Sequence, residues 1–130
     1  MHYNRGYAVS YARSHALCIS EYQSGIDADA TAFVSRCIAA GMDGDFNCSD
    51  PEQLCHALQN NLPARECALS DVQAGDVVQI RSRAGSPYKS LIVTGKNGRD
   101  ILVSAHSYIS LDRPIDSYRI CDIRCFHIEC

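Results

Sequence analysis

Near the end of the chain, Cys121, Cys125, His127 and Cys130 crowd into ten residues. Thiols and imidazoles are zinc ligands, held at ~2.0–2.3 Å. In a strand Cys121, Cys125 and His127 share a face. However, four residues at ~3.3 Å rise put Cys121 and Cys125 about 13 Å apart. That is too far for one ion, and outside the ~4.4–6.8 Å Cα separation of a disulfide. Only a bend in the tail would gather them. Asp43, Asp45, Asn47 and Asp50 have the spacing of a calcium loop, but Cys48 stands where glycine is required and Leu54 where the twelfth-position glutamate should be. A solvated acidic loop is therefore expected. The chain has eight cysteines: Cys18, Cys37, Cys48, Cys55, Cys67, Cys121, Cys125 and Cys130. An even count suits disulfides in an oxidising compartment. It equally suits small buried apolar residues.

A third constellation, Lys89 with His106, depends on the elements that carry it. Residues 4 to 18 read as a helix, with Tyr7, Ala8, Tyr11 and Ala12 at helical spacing and Asn4 as cap. A second helix is expected over about 30 to 40, capped by Asp27 or Asp29 and ended by Gly41. Its buried face is Ala30, Phe33, Val34, Cys37 and Ile38. Residues 42 to 50 form an acidic loop. Ser49, Asp50 and Pro51 start a short third helix whose apolar side is Leu54, Cys55 and Leu58. From residue 69 the period turns alternating, and strands are expected at 77–81, 89–95, 100–106 and 118–128. Gly75 and Asp76 turn into the first. Asn97-Gly98 is the strongest hairpin signal, because a type I′ turn needs positive φ at both central residues. With those two as the loop, Lys96 faces Arg99, Val93 faces Leu102, Leu91 faces Ser104 and Lys89 faces His106. A one-residue error would separate the last two.

Helices first and strands second predict one α+β domain over residues 1–130, with N-terminal helices packed on an antiparallel sheet. The length suits a single domain that buries a core without staples. A net charge of −3 with signs interspersed gives no clustered basic face for nucleic acid. No apolar run approaches the ~20 residues of a membrane span. Residues 1 to 6 are polar and lack the apolar segment of a signal peptide. The expectation is a removed leader, a domain of a larger exported protein, or Sec-independent export.

The ordered motifs resemble a known family. Residues 3–12 (Tyr-Asn-Arg-Gly-Tyr-Ala-Val-Ser-Tyr-Ala) are similar to the opening helix of the putative amidase domain, a branch of the NlpC-type papain-like cysteine peptidases. Residues 29–37, from Asp29 to Cys37, resemble its Asp-Cys-Thr-Asn-Phe-Val-Ser-Gln signature. Residues 75–78 resemble its first-strand motif, and 88–94 its His-Ser-x-Ile-Val-Thr strand. Ala105-His106 and Arg113-Pro114 resemble its next strand and loop, and residues 124–128 its closing strand. The match runs in order along nearly the whole chain.

The resemblance implies a papain-like cysteine hydrolase fold. It implies a cysteine nucleophile at the start of a buried helix, a histidine base on one strand and an orienting residue on the next. Such chemistry cleaves amides in cell-wall or other extracellular peptides without a cofactor. A helix N-terminus favours a thiolate, and a held imidazole takes the proton. Here the nucleophile position is Ala30, the base position Lys89 and the orienting position His106; the signature's Asn position is Ala32. Lysine at its ordinary pKa is a cation, not a base. His106 could serve as base, but Ala30 offers nothing to activate. Ser35, a turn and a half further on, is a packing serine rather than a substitute.

The expected function is a pseudoenzyme, secreted or at the cell surface, whose old cleft binds a peptide, glycan or protein partner, peptidoglycan-like peptides foremost. Asp29, Lys89 and His106 are the binding candidates, with Lys89 as anchor for a carboxylate. One alternative is an active amidase or exported toxin domain with its cysteine changed to alanine by design. The further changes at Ala32 and Lys89 favour natural loss. Another alternative is a disulfide-stapled interaction domain.

Overall fold

The computed structural model describes residues 3–16, 26–42, 44–48, 50–81, 87–97, 100–105, 110–115 and 123–129. Three helices come first: α1 (Arg5–His15), α2 (Ile26–Met42) and α3 (Pro51–Asn60). Strands β1 (Ala64–Cys67), β2 (Val77–Arg81), β3 (Pro87–Asn97), β4 (Asp100–Ala105), β5 (Ser110–Pro114) and β6 (Ile123–Ile128) follow. They form one sheet in the order β1-β6-β2-β3-β4-β5, antiparallel at every pairing. The architecture is α+β, as the order of periodicities predicts.

Local chemistry explains the helix starts. The Asn4 side chain accepts from the Tyr7 amide at 3.1 Å. Asp50 accepts from the Glu52 amide at 3.0 Å, with Pro51 in the first helical position. Each satisfies an amide that the helix itself leaves without a partner. Leu54, Cys55 and Leu58 are buried, as their spacing implies.

Strand alternation gives the sheet two buried faces. Val77, Ile92, Phe126 and Ile128 pack with Phe33, Val34, Ile38, Leu54 and Leu58 of the helices. Val78, Ile80, Leu91, Val93, Val103 and Cys125 form a second core on the opposite face. Burial on both sides is why the strands read as apolar runs.

Four expectations are corrected. α2 begins at Ile26, so Asp27 and Asp29 lie inside the helix and do not cap it. Gly41 does not stop α2, which runs on to Met42. It is needed instead for a close approach: a Cβ there would stand 2.5 Å from Tyr3 Cε1 and 2.9 Å from the Asn4 carbonyl oxygen. Strands β1 and β5 are additional. Both are short, polar outer strands, and edge strands carry charge and proline in place of an apolar run.

The fourth correction is the hairpin register. Asn97 is a strand residue paired with Asp100, and the ladder slips between Val93 and Gly95. Thr94 is the extra residue of that bulge. Beyond it Val93 pairs with Val103 and Ile92 with Ser104, in place of the expected Val93–Leu102 and Leu91–Ser104. The Lys89–His106 pairing rested on the displaced register. His106, and positions 118–122 of the expected last strand, lie outside the described residues, as do Cys18, Cys121 and Cys130.

Candidate functional site

Asp29 and Ala30 are the fourth and fifth residues of α2. The amides that a helix leaves open are those of its first turn. Position 30 is therefore past the point where helix-terminal N–H groups would stabilise a thiolate, contrary to what the resemblance implies. The side chains of Asp29 and Ala30 lie outside the described residues.

The next residue shows what α2 meets. Thr31 is buried, and its Oγ1 lies 3.5 Å from Ser90 Oγ on β3. Gln79 on β2 donates from Nε2 to Ser90 Oγ at 3.1 Å and to the Pro51 carbonyl at 3.0 Å. Gln79 Oε1 is buried and has no hydrogen-bond partner among the described residues. The cluster joins α2, α3, β2 and β3 through hydroxyl and amide groups. None of the three side chains ionises near neutral pH, so the cluster fixes packing and supplies no base.

Lys89 is on the other face. It pairs with Ile80, which belongs to the second core, and side chains of paired residues share a face. Ser90, one position along, therefore faces α2, and Lys89 points away from it. Lys89 is also only 8% exposed. Among the described residues, α2 thus packs on one face of the sheet and Lys89 points to the other.

A charged cluster lies at the end of the sheet, where the sequence implies only a turn. Asp76 is fully buried. Its Oδ1 accepts from Arg5 Nη1 at 2.7 Å and from the Ile128 amide at 3.0 Å. Its Oδ2 accepts from the Gln73 amide at 2.8 Å and from His127 Nδ1 at 3.0 Å. A carboxylate only accepts, so Nδ1 donates in this shorter contact, while Arg5 Nη2, which can only donate, lies 3.3 Å from the same nitrogen. Arg5 also donates to the Ala74 carbonyl at 3.0 Å and to that of Ile128. Tyr3 donates to the Gly75 carbonyl at 2.6 Å, and Gly75 takes φ +95°, a conformation glycine adopts without penalty. An aspartate holding an imidazole is the base-and-orienter half of a hydrolytic triad. No Ser, Thr or Cys side chain among the described residues hydrogen-bonds His127. The four saturated acceptor positions mark a structural lock between α1, β2 and β6. A Gly-Asp pair before an apolar strand, with Arg5 and His127 far away in sequence, gave no local sign of it.

One surface has the shape of a binding groove. Two adjoining open depressions of about 350 and 320 Å³ flank the second half of α2. Arg36, Ala39 and Gly44 line both. Tyr11 and Ala40 complete one, and Asp45, Phe46 and Asn47 the other. Arg36 is exposed, Tyr11 and Phe46 are half-buried, and the Tyr11 ring stacks on His15 with centroids 4.0 Å apart. The lone basic residue of α2, set among the mostly apolar residues 33–40, was the legible sign. Ser35, beside it, is buried and donates to the Ala32 and Cys48 carbonyls at 3.0 and 3.1 Å. It ties α2 to the 44–48 loop.

Among the described residues, no group of three or more His, Cys, Asp or Glu is placed to hold a metal ion, and no helix is long and apolar enough to cross a membrane. Compared with family models, curated proteins and solved structures, the chain gives no match in any of the three.

Proposed function

We propose that this chain is a papain-like, amidase-type domain that does not hydrolyse amides and instead binds a peptide or peptidoglycan-like ligand outside the cell or at its surface. The observation that carries the loss of catalysis is the placement of the two key positions. Ala30 has no reactive atom and sits in the helix packed against Ser90, while Lys89 is on the far face of the sheet with Ile80. Nucleophile and base must approach to hydrogen-bond distance, about 2.6–3.2 Å. That placement supports the reading without catalysis.

The groove around Arg36 supports the binding role. A guanidinium presents a planar fork of donors that matches a carboxylate. Tyr11 and Phe46 offer aromatic surface, and Asp45 adds a negative group at the far end. A short peptide with a free carboxylate and a cationic group, as in wall stem peptides, has complementary charges. Lys89 is too buried to be the anchor expected of it, and Arg36 takes that role.

The test is hydrolysis of peptidoglycan peptides by Ala30→Cys, with Ala30→Cys/Lys89→His beside it. Neither folded variant is expected to release product. Turnover by the single variant would establish the competing reading, an active amidase that carries alanine in place of its nucleophile.

A further inference from the structure

Cys67 and Cys125 are directly opposite each other on the neighbouring antiparallel strands β1 and β6. The same ladder pairs Ala64 with Ile128 and Arg65 with His127. The Glu129 amide donates to the Pro63 carbonyl at 2.7 Å, which makes 63 and 129 a hydrogen-bonded pair. Hydrogen-bonded and non-hydrogen-bonded pairs alternate along an antiparallel ladder. Counting four steps on, Cys67 and Cys125 are again a hydrogen-bonded pair, for which the Cα separation is about 5.5 Å. That value lies at the preferred Cα separation of a disulfide, ~5.5–6 Å. Both cysteines are reduced in this structure. Cys125 is buried in the second core, and Cys67 packs against it while remaining partly exposed.

We propose that Cys67 and Cys125 form a reversible dithiol–disulfide pair that exchanges with small-molecule disulfides of the glutathione type. Partly exposed Cys67 reacts first. Its thiol gives a proton to solvent, and the thiolate attacks one sulfur of the external disulfide. The external S–S bond breaks, and one small thiol leaves with a proton from solvent. Cys125 then loses its proton and attacks Cys67 Sγ in the mixed disulfide. The Cys67–Cys125 bond forms, and the second small thiol departs protonated. The two cysteines are oxidised, and one external disulfide is reduced to two thiols.

The geometry also gives the bond its character. Cβ atoms of facing residues are ~4.5–5.5 Å apart, whereas a disulfide draws them to ~3.5–4.5 Å. Closure therefore pulls the end of β1 toward β6. Cys67 stays partly exposed, and an exposed disulfide is the readily reduced kind. Cys67 is the last residue of the four-residue outer strand β1, so the movement falls on the least constrained strand. Burial raises the Cys67 thiol above its ordinary range, with the carboxylates of Asp76, Asp71 and Glu66 adding to the rise against Arg65. Exchange is thus slow at neutral pH and faster in base.

The experiment incubates the reduced, folded chain with oxidised glutathione, blocks remaining thiols by alkylation, and maps tryptic peptides by mass spectrometry. Cleavage after Arg65, Arg81 and Arg124 gives fragments 66–81 and 125–130. Because Cys130 shares the second fragment, the Cys130→Ser variant is run in parallel. The expected product in both chains is fragment 66–81 joined to 125–130, released by a low concentration of reductant. Cys67 and Cys125 both alkylated, or Cys67 left carrying glutathione beside an alkylated Cys125, would overturn the proposal. In Cys125→Ser, Cys67 should accumulate glutathione. Its failure to do so would refute Cys67 as the entry thiol.

Discussion

His127 Nδ1 donates to Asp76 Oδ2 across 3.0 Å, with the carboxylate fully buried and the imidazole at the rim. Arg5 meets the other oxygen of the same carboxylate at 2.7 Å, and its Nη2 lies 3.3 Å from His127 Nδ1. Three segments far apart in sequence thus converge on one charge. Removing one partner of such a pair leaves the others desolvated, which typically costs about 3–5 kcal/mol. Asp76→Ala should therefore destabilise the domain by about 3 kcal/mol or more in urea unfolding. His127→Ala, which leaves Arg5 and two amides on the carboxylate, should cost less. Equal losses would show that the imidazole, not the arginine, holds the lock.

Gly41 is held by contact, not by its helical position. A methyl there would meet the Tyr3 ring and the Asn4 backbone. Tyr3 is itself buried and bonded to Gly75. Gly41→Ala should displace Tyr3 and destabilise the fold by about 1–3 kcal/mol, the usual cost of overpacking, although alanine favours helices by about 1 kcal/mol. A Tm equal to or above that of the parent would show that Tyr3 moves without cost.

The thiols predict a fall in stability at alkaline pH. Burial pushes Cys125 up to about 12, with Cys67, Glu66 and Asp76 adding to the rise. Burial also raises Cys37 well above its ordinary value. In the unfolded chain a thiol titrates near 8.5. The folded state keeps its protons longer, so its advantage is complete below about pH 8.5 and is lost as pH rises toward the folded values. The urea midpoint should drop steadily between pH 8 and pH 11, and less steeply in Cys125→Ala. A flat profile would contradict the burial of these thiols.

The groove reading makes Arg36 the residue to remove. A hydrogen bond to a charged group contributes about 1.5–3 kcal/mol, a tenfold to hundredfold change in affinity. Arg36→Ala should weaken binding of a stem peptide by that factor in calorimetry, while Lys89→Ala leaves it unchanged. The reverse pattern would return the anchor to Lys89.

The sequence by itself determined the order of the three helices and of four of the six strands, the caps at Asn4 and Asp50, the apolar side of α3 and the α+β class. These rest on interactions within a few residues: a side chain reaching an amide two or three positions on, or a period of 3.6 giving way to one of 2. It also determined that Ala30 can attack nothing. Only the tertiary structure decided the rest. The bulge at Thr94 moved the β3–β4 register by one residue, which no turn signal encodes. The strand pairing placed Lys89 on the far side of the sheet from α2, the packing of Tyr3 explained Gly41, and the meeting of α1 with the sheet brought Arg5, Asp76 and His127 together. Cys67 and Cys125, 58 positions apart in sequence, face each other because β1 pairs with β6. Contacts of that kind depend on which strands become neighbours, and that is settled by the burial of whole faces rather than by any local run of residues.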